Sequence, residues 1–212
     1  TFPPDEKEVG WHDIESSAEQ VRELGTRALP LVVDVSNEND VQTMVERTLE
    51  EFGRIDILVN NAAYARGPDR VPLLELDPVI LQKVVDVKIR GTFLCSKAVA
   101  RVLIHQGEGG KIVNVSSGAG KSGGVNALAY NAACFAQVGM TQSMAKELGP
   151  YKINVNCVCP GAVDTSRVDD VGRGVAWEEI ERNTPIGRAG TDEEVGAIIA
   201  HLCTEATSWI TG

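Results

Sequence analysis

No run of this 212-residue chain is apolar enough to cross a bilayer, no paired CxxC motif occurs, and acidic residues outnumber basic ones. Each absence excludes something. A membrane-spanning helix needs about 20 predominantly apolar residues in a row. The nearest candidate is the charge-free stretch 123–145, and Asn126, Asn131, Gln137, Thr141, Gln142 and Ser143 punctuate it. A structural zinc site needs cysteines and histidines clustered at ligand spacing. Cys95, Cys134, Cys157, Cys159 and Cys203 are scattered, so no metal is expected. A net charge of −10 and a pI near 4.8 argue against a nucleic-acid partner, which needs a basic face. No secretory signal pattern is read, and scattered free thiols suit a reducing cytoplasm.

Present instead are a hydrophobic fraction of 43% and a length that suits a single domain, 1–212. Short continuous apolar runs at 28–33, 55–59, 112–115 and 153–158 read as buried strands. Helical patterns alternate with them. Residues 13–24 stop at Gly25. A helix capped by Ser36 runs to Phe52 and closes at Gly53. Asp77-Pro78 opens a long helix to about His105, with proline at its first position. A further helix spans about 126–148, a short one lies near Trp177 to Arg182, and Thr191 caps a last one from Asp192. Alternating strands and helices predict an α/β fold with a parallel sheet covered on both faces. No internal repeat or low-complexity linker occurs. The charge-free helix has no polar face, so it is expected to lie on the sheet on one side and on a second subunit or a ligand on the other.

A hydroxyl pair carries the most suggestive chemistry. Ser117 sits just past the end of the strand at Ile112, where open parallel sheets bind ligands. Tyr130 sits early in the following helix. If both face one crevice, Tyr130 can exchange a proton with a substrate oxygen while Ser117 holds that oxygen. A free tyrosine has a pKa near ~10, so this role needs a nearby cation at neutral pH. A core tyrosine and a turn serine remain the plain alternative.

Other strand ends add to this. Asp34 could accept from an adenine, or merely introduce a helix. Asn60-Asn61-Ala62 is a tight turn open to a ligand's approach, or an ordinary turn. Pro160-Gly161, followed by Thr165, ends another strand. Four such ends along one sheet edge weigh more than any one of them. Gly120-Lys121-Ser122 is half of a triphosphate-binding loop, but Val115 stands where that loop needs glycine.

Together, Asp34-Val35, Asn60-Asn61-Ala62-Ala63, Asn114-Val115-Ser116-Ser117, Tyr130 and Pro160-Gly161-Ala162-Val163-Asp164-Thr165 make the chain resemble the short-chain dehydrogenase/reductase family, classical type, from about Val32 to its end. The tail, Pro185-Ile186-Gly187-Arg188 through Trp209-Ile210-Thr211-Gly212, also resembles it. The resemblance implies a Rossmann-type doubly wound sheet binding NAD or NADP. It implies hydride transfer between that cofactor and a small-molecule carbonyl or secondary alcohol. Asp34 and Val35 would flank the adenine, and Asn60 would line the cofactor cleft. Pro160, Val163 and Thr165 would lie by the nicotinamide. Ser117 would orient the substrate oxygen and Tyr130 would be the acid/base. Dimers or tetramers would form through the helices at about 77–105 and 126–148. A wall of the substrate pocket is expected at about 166–184, where Asp169, Asp170, Arg173 and Trp177 show no single chemical preference.

Three departures stand against the match. The family's lysine, four residues after the tyrosine, is here Cys134. Its catalytic asparagine, three residues before the helix glycine Gly91, is here Lys88. Lys88 is therefore a candidate replacement for the missing ammonium, carried on a flexible stem. Otherwise it points elsewhere, and the site is an impaired homologue that binds cofactor or acts as a scaffold. Third, the glycine-rich phosphate turn is absent. The N-terminal βαβ portion and the last strand are also lacking, so a longer parent chain is expected.

Overall fold

The structure, a computed structural model, describes residues 14–165 and 175–212, with nothing of the side chains of Val175 and Ala176. Its sheet holds three parallel strands in the order β1 (Ile57–Asn60), β2 (Gly110–Val115), β3 (Ile153–Val158). Ile57 lies opposite Lys111, and Gly110 lies opposite Ile153. The central strand is buried on both faces, with Ile112 and Val113 fully covered. That is why β2 reads as a continuous apolar run rather than an alternating one.

Around the sheet lie α1 (Ile14–Glu23), α2 (Glu38–Phe52), α3 (Pro78–Val85), α4 (Gly91–Gln106), α5 (Leu128–Leu148), α6 (Val175–Asn183) and α7 (Asp192–Leu202). Their ends follow local chemistry. Asp77 caps α3 by accepting from the Val79 N–H, with Pro78 at the first position. Gly53 ends α2 at φ 80°, where a side chain would be strained. Thr191 and Glu194 form a capping box that opens α7. Val45 of α2, Val99 and Leu103 of α4 and Ala145 of α5 join Ile112, Ile153 and Val155 of the sheet in the main core.

Three expectations change. Residues 28–33 are not a strand. A strand needs a neighbour for its N–H and C=O groups, and among the described residues none pairs with this stretch; Val32 is 94% exposed. Asn37, not Ser36, caps α2, because its side-chain Oδ1 accepts from the Asn39 and Asp40 N–H groups. The long helix from Pro78 is interrupted by a π turn, Asp86–Arg90, before it continues as α4. The inner face of α5 carries Ala129, Ala133, Cys134 and Gln137, while Leu128 and Phe135 are exposed on the other, the side where a second subunit or a ligand is expected. The pocket wall is only partly visible: residues 166–174, with Asp169, Asp170 and Arg173, lie outside the described residues, as does the irregular start at 1–13.

Candidate active site

The C-terminal ends of β1, β2 and β3 lie side by side, so Asn61, Ser116 and Cys159 leave the sheet along one edge. Two hydrogen bonds keep the exits together. The Ser116 N–H donates to the Val158 carbonyl at 2.8 Å, and the Gly118 N–H donates to the Pro160 carbonyl at 2.7 Å. Ser117 is extended there and caps a single 3-10 turn, Gly118–Gly120, accepting from the Ala119 N–H at 3.2 Å.

That turn is pressed onto α5. The Ser116 hydroxyl donates to the Cys134 carbonyl at 3.1 Å. A Cβ at Gly120 would lie 2.9 Å from the same oxygen, so only glycine allows the approach. Asn131 reaches back, its amide donating to the Ala119 and Ser122 carbonyls at 3.0 and 2.7 Å. The sequence therefore fastens the segment carrying Ser117 directly to the first turns of the helix carrying Tyr130.

Tyr130 is half-buried, with two cations near its ring. The Lys88 Nζ lies 6.0 Å from its ring centroid, and the Arg70 guanidinium carbon lies 4.1 Å from it. Lys88 stands in the π turn, a kind of helix defect frequent at functional sites. It is only 2% exposed, and its ammonium donates to the Val115 carbonyl at 3.0 Å. A buried charge is tolerated only with such partners. The turn is tied to α5 as well: the Thr92 hydroxyl donates to the Lys88 carbonyl at 2.7 Å and accepts from the Gln137 amide at 3.0 Å. Cys134, one helical turn beyond Tyr130, is fully covered.

The expected cofactor residues divide. Asp34 is exposed, and its carboxylate accepts from the Ser36 hydroxyl and N–H at 2.7 and 2.9 Å. These bonds hold its carboxyl below the ordinary value, so it is ionised. Val35 packs inward instead, with Val41 and Leu94. A Cβ at Gly91 would lie 2.7 Å from its Cγ2. Asn60 also turns inward: its amide donates to the Ser96 hydroxyl at 3.0 Å and to the Asn114 carbonyl oxygen at 2.8 Å. It shapes the turn after β1 from within. Val163 forms a parallel bridge to Gly190, which fixes the segment between Pro160 and Thr165.

The chemistry of this edge fits a dinucleotide in part. An exposed, ionised Asp34 can accept from an adenine amino group. The small, exposed Asn61-Ala62 permits close approach. Position 134 does not fit the usual ribose-holding role, since a covered thiol offers no charge. Among the described residues no cluster of three or more His, Cys, Asp or Glu could hold a metal, and no helix is long and apolar enough to cross a membrane. Arg70 escaped the sequence reading. It sits in a loop without periodicity, and only the Pro68-Asp69 turn residues mark its neighbourhood.

Comparison with known proteins shows the family. Residues 7–212 match a family model described as enoyl-(acyl carrier protein) reductase. A cis-4-hydroxycyclohexanecarboxylate dehydrogenase of Sinomonas cyclohexanicum is 37% identical over 92% of this chain and 77% of its own length. A 3-oxoacyl-(acyl-carrier-protein) reductase of Synechocystis is 35% identical over 89% of this chain and 73% of its own. The crystal structure of an NAD+-bound xylitol dehydrogenase superposes with a TM-score of 0.85 at 30% identity, covering 93% of this chain and 81% of that one. The chain belongs to the short-chain dehydrogenase/reductase family and is a nicotinamide-dependent oxidoreductase of alcohol and carbonyl groups.

Proposed function

We propose that this oxidoreductase works through Tyr130 as general acid/base, Ser117 as the hydroxyl that holds the substrate oxygen, and Lys88 as the ammonium that the family keeps four residues after the tyrosine. In the reducing direction the Tyr130 O–H gives its proton to the carbonyl oxygen. In the oxidising direction the phenolate takes the proton from the alcohol. The nicotinamide, when bound, supplies or accepts the hydride. Asp34 would hold the adenine end, and the segment Pro160 to Thr165 the nicotinamide end; the inward turns of Asn60 and Val35 leave both as shapers of the cleft.

The observation that carries the reading is the buried Lys88 ammonium, 6.0 Å from the Tyr130 ring centroid, together with a fully covered thiol at Cys134. A charge this deep is costly unless it has a use or close partners. The scaffold alternative gains no support from the relatives named above, which carry the names of dehydrogenases and a reductase.

Either NAD or NADP satisfies this chemistry. The substrate is a small carbonyl or secondary-alcohol compound. A homodimer or homotetramer accompanies the reading, supported by Phe93 and Phe135, which lie 49% and 46% exposed on α4 and α5. A cytoplasmic setting is supported by five free thiols. The test is to titrate NADH and NADPH while following nucleotide fluorescence. A panel of cyclic, acyclic and acidic ketones is then assayed with wild type and Tyr130→Phe. Binding of one nucleotide, with turnover that Tyr130→Phe lowers by at least ~100-fold, is the expected result. Failure to bind either nucleotide contradicts the reading.

A further inference from the structure

Tyr130 carries a second cation that no family motif supplies. Arg70 reaches it from the loop between β1 and α3, 60 positions earlier in the chain. Its guanidinium lies over the phenol ring, with Cζ 4.1 Å from the ring centroid. The loop is built to hold it there. Gly67, at φ 133°, opens a four-residue turn with Pro68 second, closed by the Arg70 N–H donating to the Gly67 carbonyl at 2.9 Å. The Asp69 carboxylate, 3% exposed, accepts from the Gly67 N–H at 3.2 Å. Its other oxygen stands 3.5 Å from the Arg70 Nε. That Nε is buried and makes no hydrogen bond among the described residues. The ion pair with Asp69 and the contact with the ring together hold the guanidinium.

We propose that Arg70 is a positioning residue for Tyr130: its guanidinium, stacked on the phenol, shares with Lys88 the work of favouring the phenolate that a single lysine performs elsewhere in the family. The inference rests on the reading of Tyr130 as the acid/base. The physical reason is the sign and place of the charges. A cation within about 4–6 Å favours an ionised acid, and stacking also keeps water off one ring face. Among the described residues, Lys88 and Arg70 both face the ring. Lys88 comes from the π turn and Arg70 from the loop. Tyr64 packs beside Ala129 and Ala133 of the same helix. Cys134 is the neighbour one turn on, and α5 itself has no charged residue before Lys146. Asp69 opposes the effect. However, it reaches only the Nε edge of the guanidinium, whereas the positive carbon is in contact with the ring.

The experiment is a phenolate titration by ultraviolet absorbance, on the intact chain without nucleotide. Subtracting Tyr130→Phe isolates one of three tyrosines, Tyr64, Tyr130 and Tyr151. Arg70→Gln and Arg70→Met each raise the Tyr130 midpoint by about 1 pH unit, a ~10-fold smaller phenolate fraction at neutral pH. Arg70→Lys keeps the charge without the planar stack and recovers at least half of that change. The acid limb of kcat/KM for alcohol oxidation moves with the midpoint, while KM for a neutral ketone stays put. An unmoved midpoint in a folded neutral variant overturns the proposal. So does failure of both neutral variants to fold, which makes Arg70 a structural residue. A rise in KM confined to acidic ketones, with the midpoint fixed, overturns it in favour of substrate-anion binding. Lys88→Met, titrated in parallel, separates the two levels. If it alone moves the midpoint, the proposed function stands and the role of Arg70 falls. If Arg70 variants move the midpoint in a protein that turns over nothing, the reverse holds.

Discussion

Replacing Lys88 with methionine removes the ammonium but keeps most of the side chain's length. The charge lies 6.0 Å from the Tyr130 ring centroid. A phenolate's charge is centred on its oxygen and spreads into the ring; for a separation on the order of 6 Å and an effective dielectric constant of about 20, two unit charges interact by about 3 kcal/mol. One pH unit corresponds to about 1.4 kcal/mol, so the phenol's midpoint should rise by about two pH units. Alcohol oxidation needs the phenolate, so kcat/KM should fall by about 100-fold at neutral pH. The loss should fade as pH rises through the new midpoint, because the phenolate then forms without help. Stability should move the other way or hardly at all. Exchanging a buried charge for an apolar group is often neutral or favourable, while leaving the Val115 carbonyl without its partner costs about 1–3 kcal/mol. The net change should stay within about 2 kcal/mol. The assay is a pH–rate profile beside a thermal melt. A uniform loss of rate at every pH, with a large fall in Tm, would refute the reasoning, since it would mark Lys88 as a packing residue.

Two further outcomes follow from close contacts. Gly91→Ala places a methyl group 2.7 Å from the Val35 Cγ2, so it should cost about 1–3 kcal/mol. It should also weaken nucleotide binding by displacing Asp34; Val35→Ala on the same chain should recover most of both, as a double-mutant melt and a nucleotide titration would show. Burial, and then the Cys159 sulfur at 3.9 Å, push the Cys157 thiol up from 9.0 to about 11. Alkylation of Cys157 at pH 8 should therefore run about 100-fold slower in the folded chain than in the unfolded one. The accompanying contribution to stability is full below about pH 9 and is lost as pH rises through about 11, because the unfolded thiol ionises first.

Much of this arrangement was legible along the chain. The strand at 153–158, the opening of α3 at Asp77-Pro78 and the cap at Thr191 follow from local rules, and the structure repeats them. Ser117 and Tyr130 sit on neighbouring segments whose fastening, through Ser116, Gly120 and Asn131, is short in sequence. What was not legible depends on distant partners. The run 28–33 has strand composition, but pairing decides a strand, and no described neighbour offers it. The π turn leaves the helical period of 78–106 almost unchanged, so no pattern announces it. Its position is set by contact: Gly91 against Val35, and Thr92 against Gln137. Asn60 carries a polar side chain at a strand end, and only the partners Ser96 and Asn114 turn it inward. Arg70 meets Tyr130 across 60 positions, and no spacing rule reaches that far.

Cys134→Lys decides the central claim, that the cation absent from position 134 has been supplied from elsewhere. If Lys88 and Arg70 already serve Tyr130, a further ammonium in the covered site one helical turn from Tyr130 adds a buried like charge and no new function. The variant should then melt lower and turn over ketones no faster than wild type. Activity created from none, or raised by orders of magnitude, would contradict the account and show a site that merely lacked its lysine.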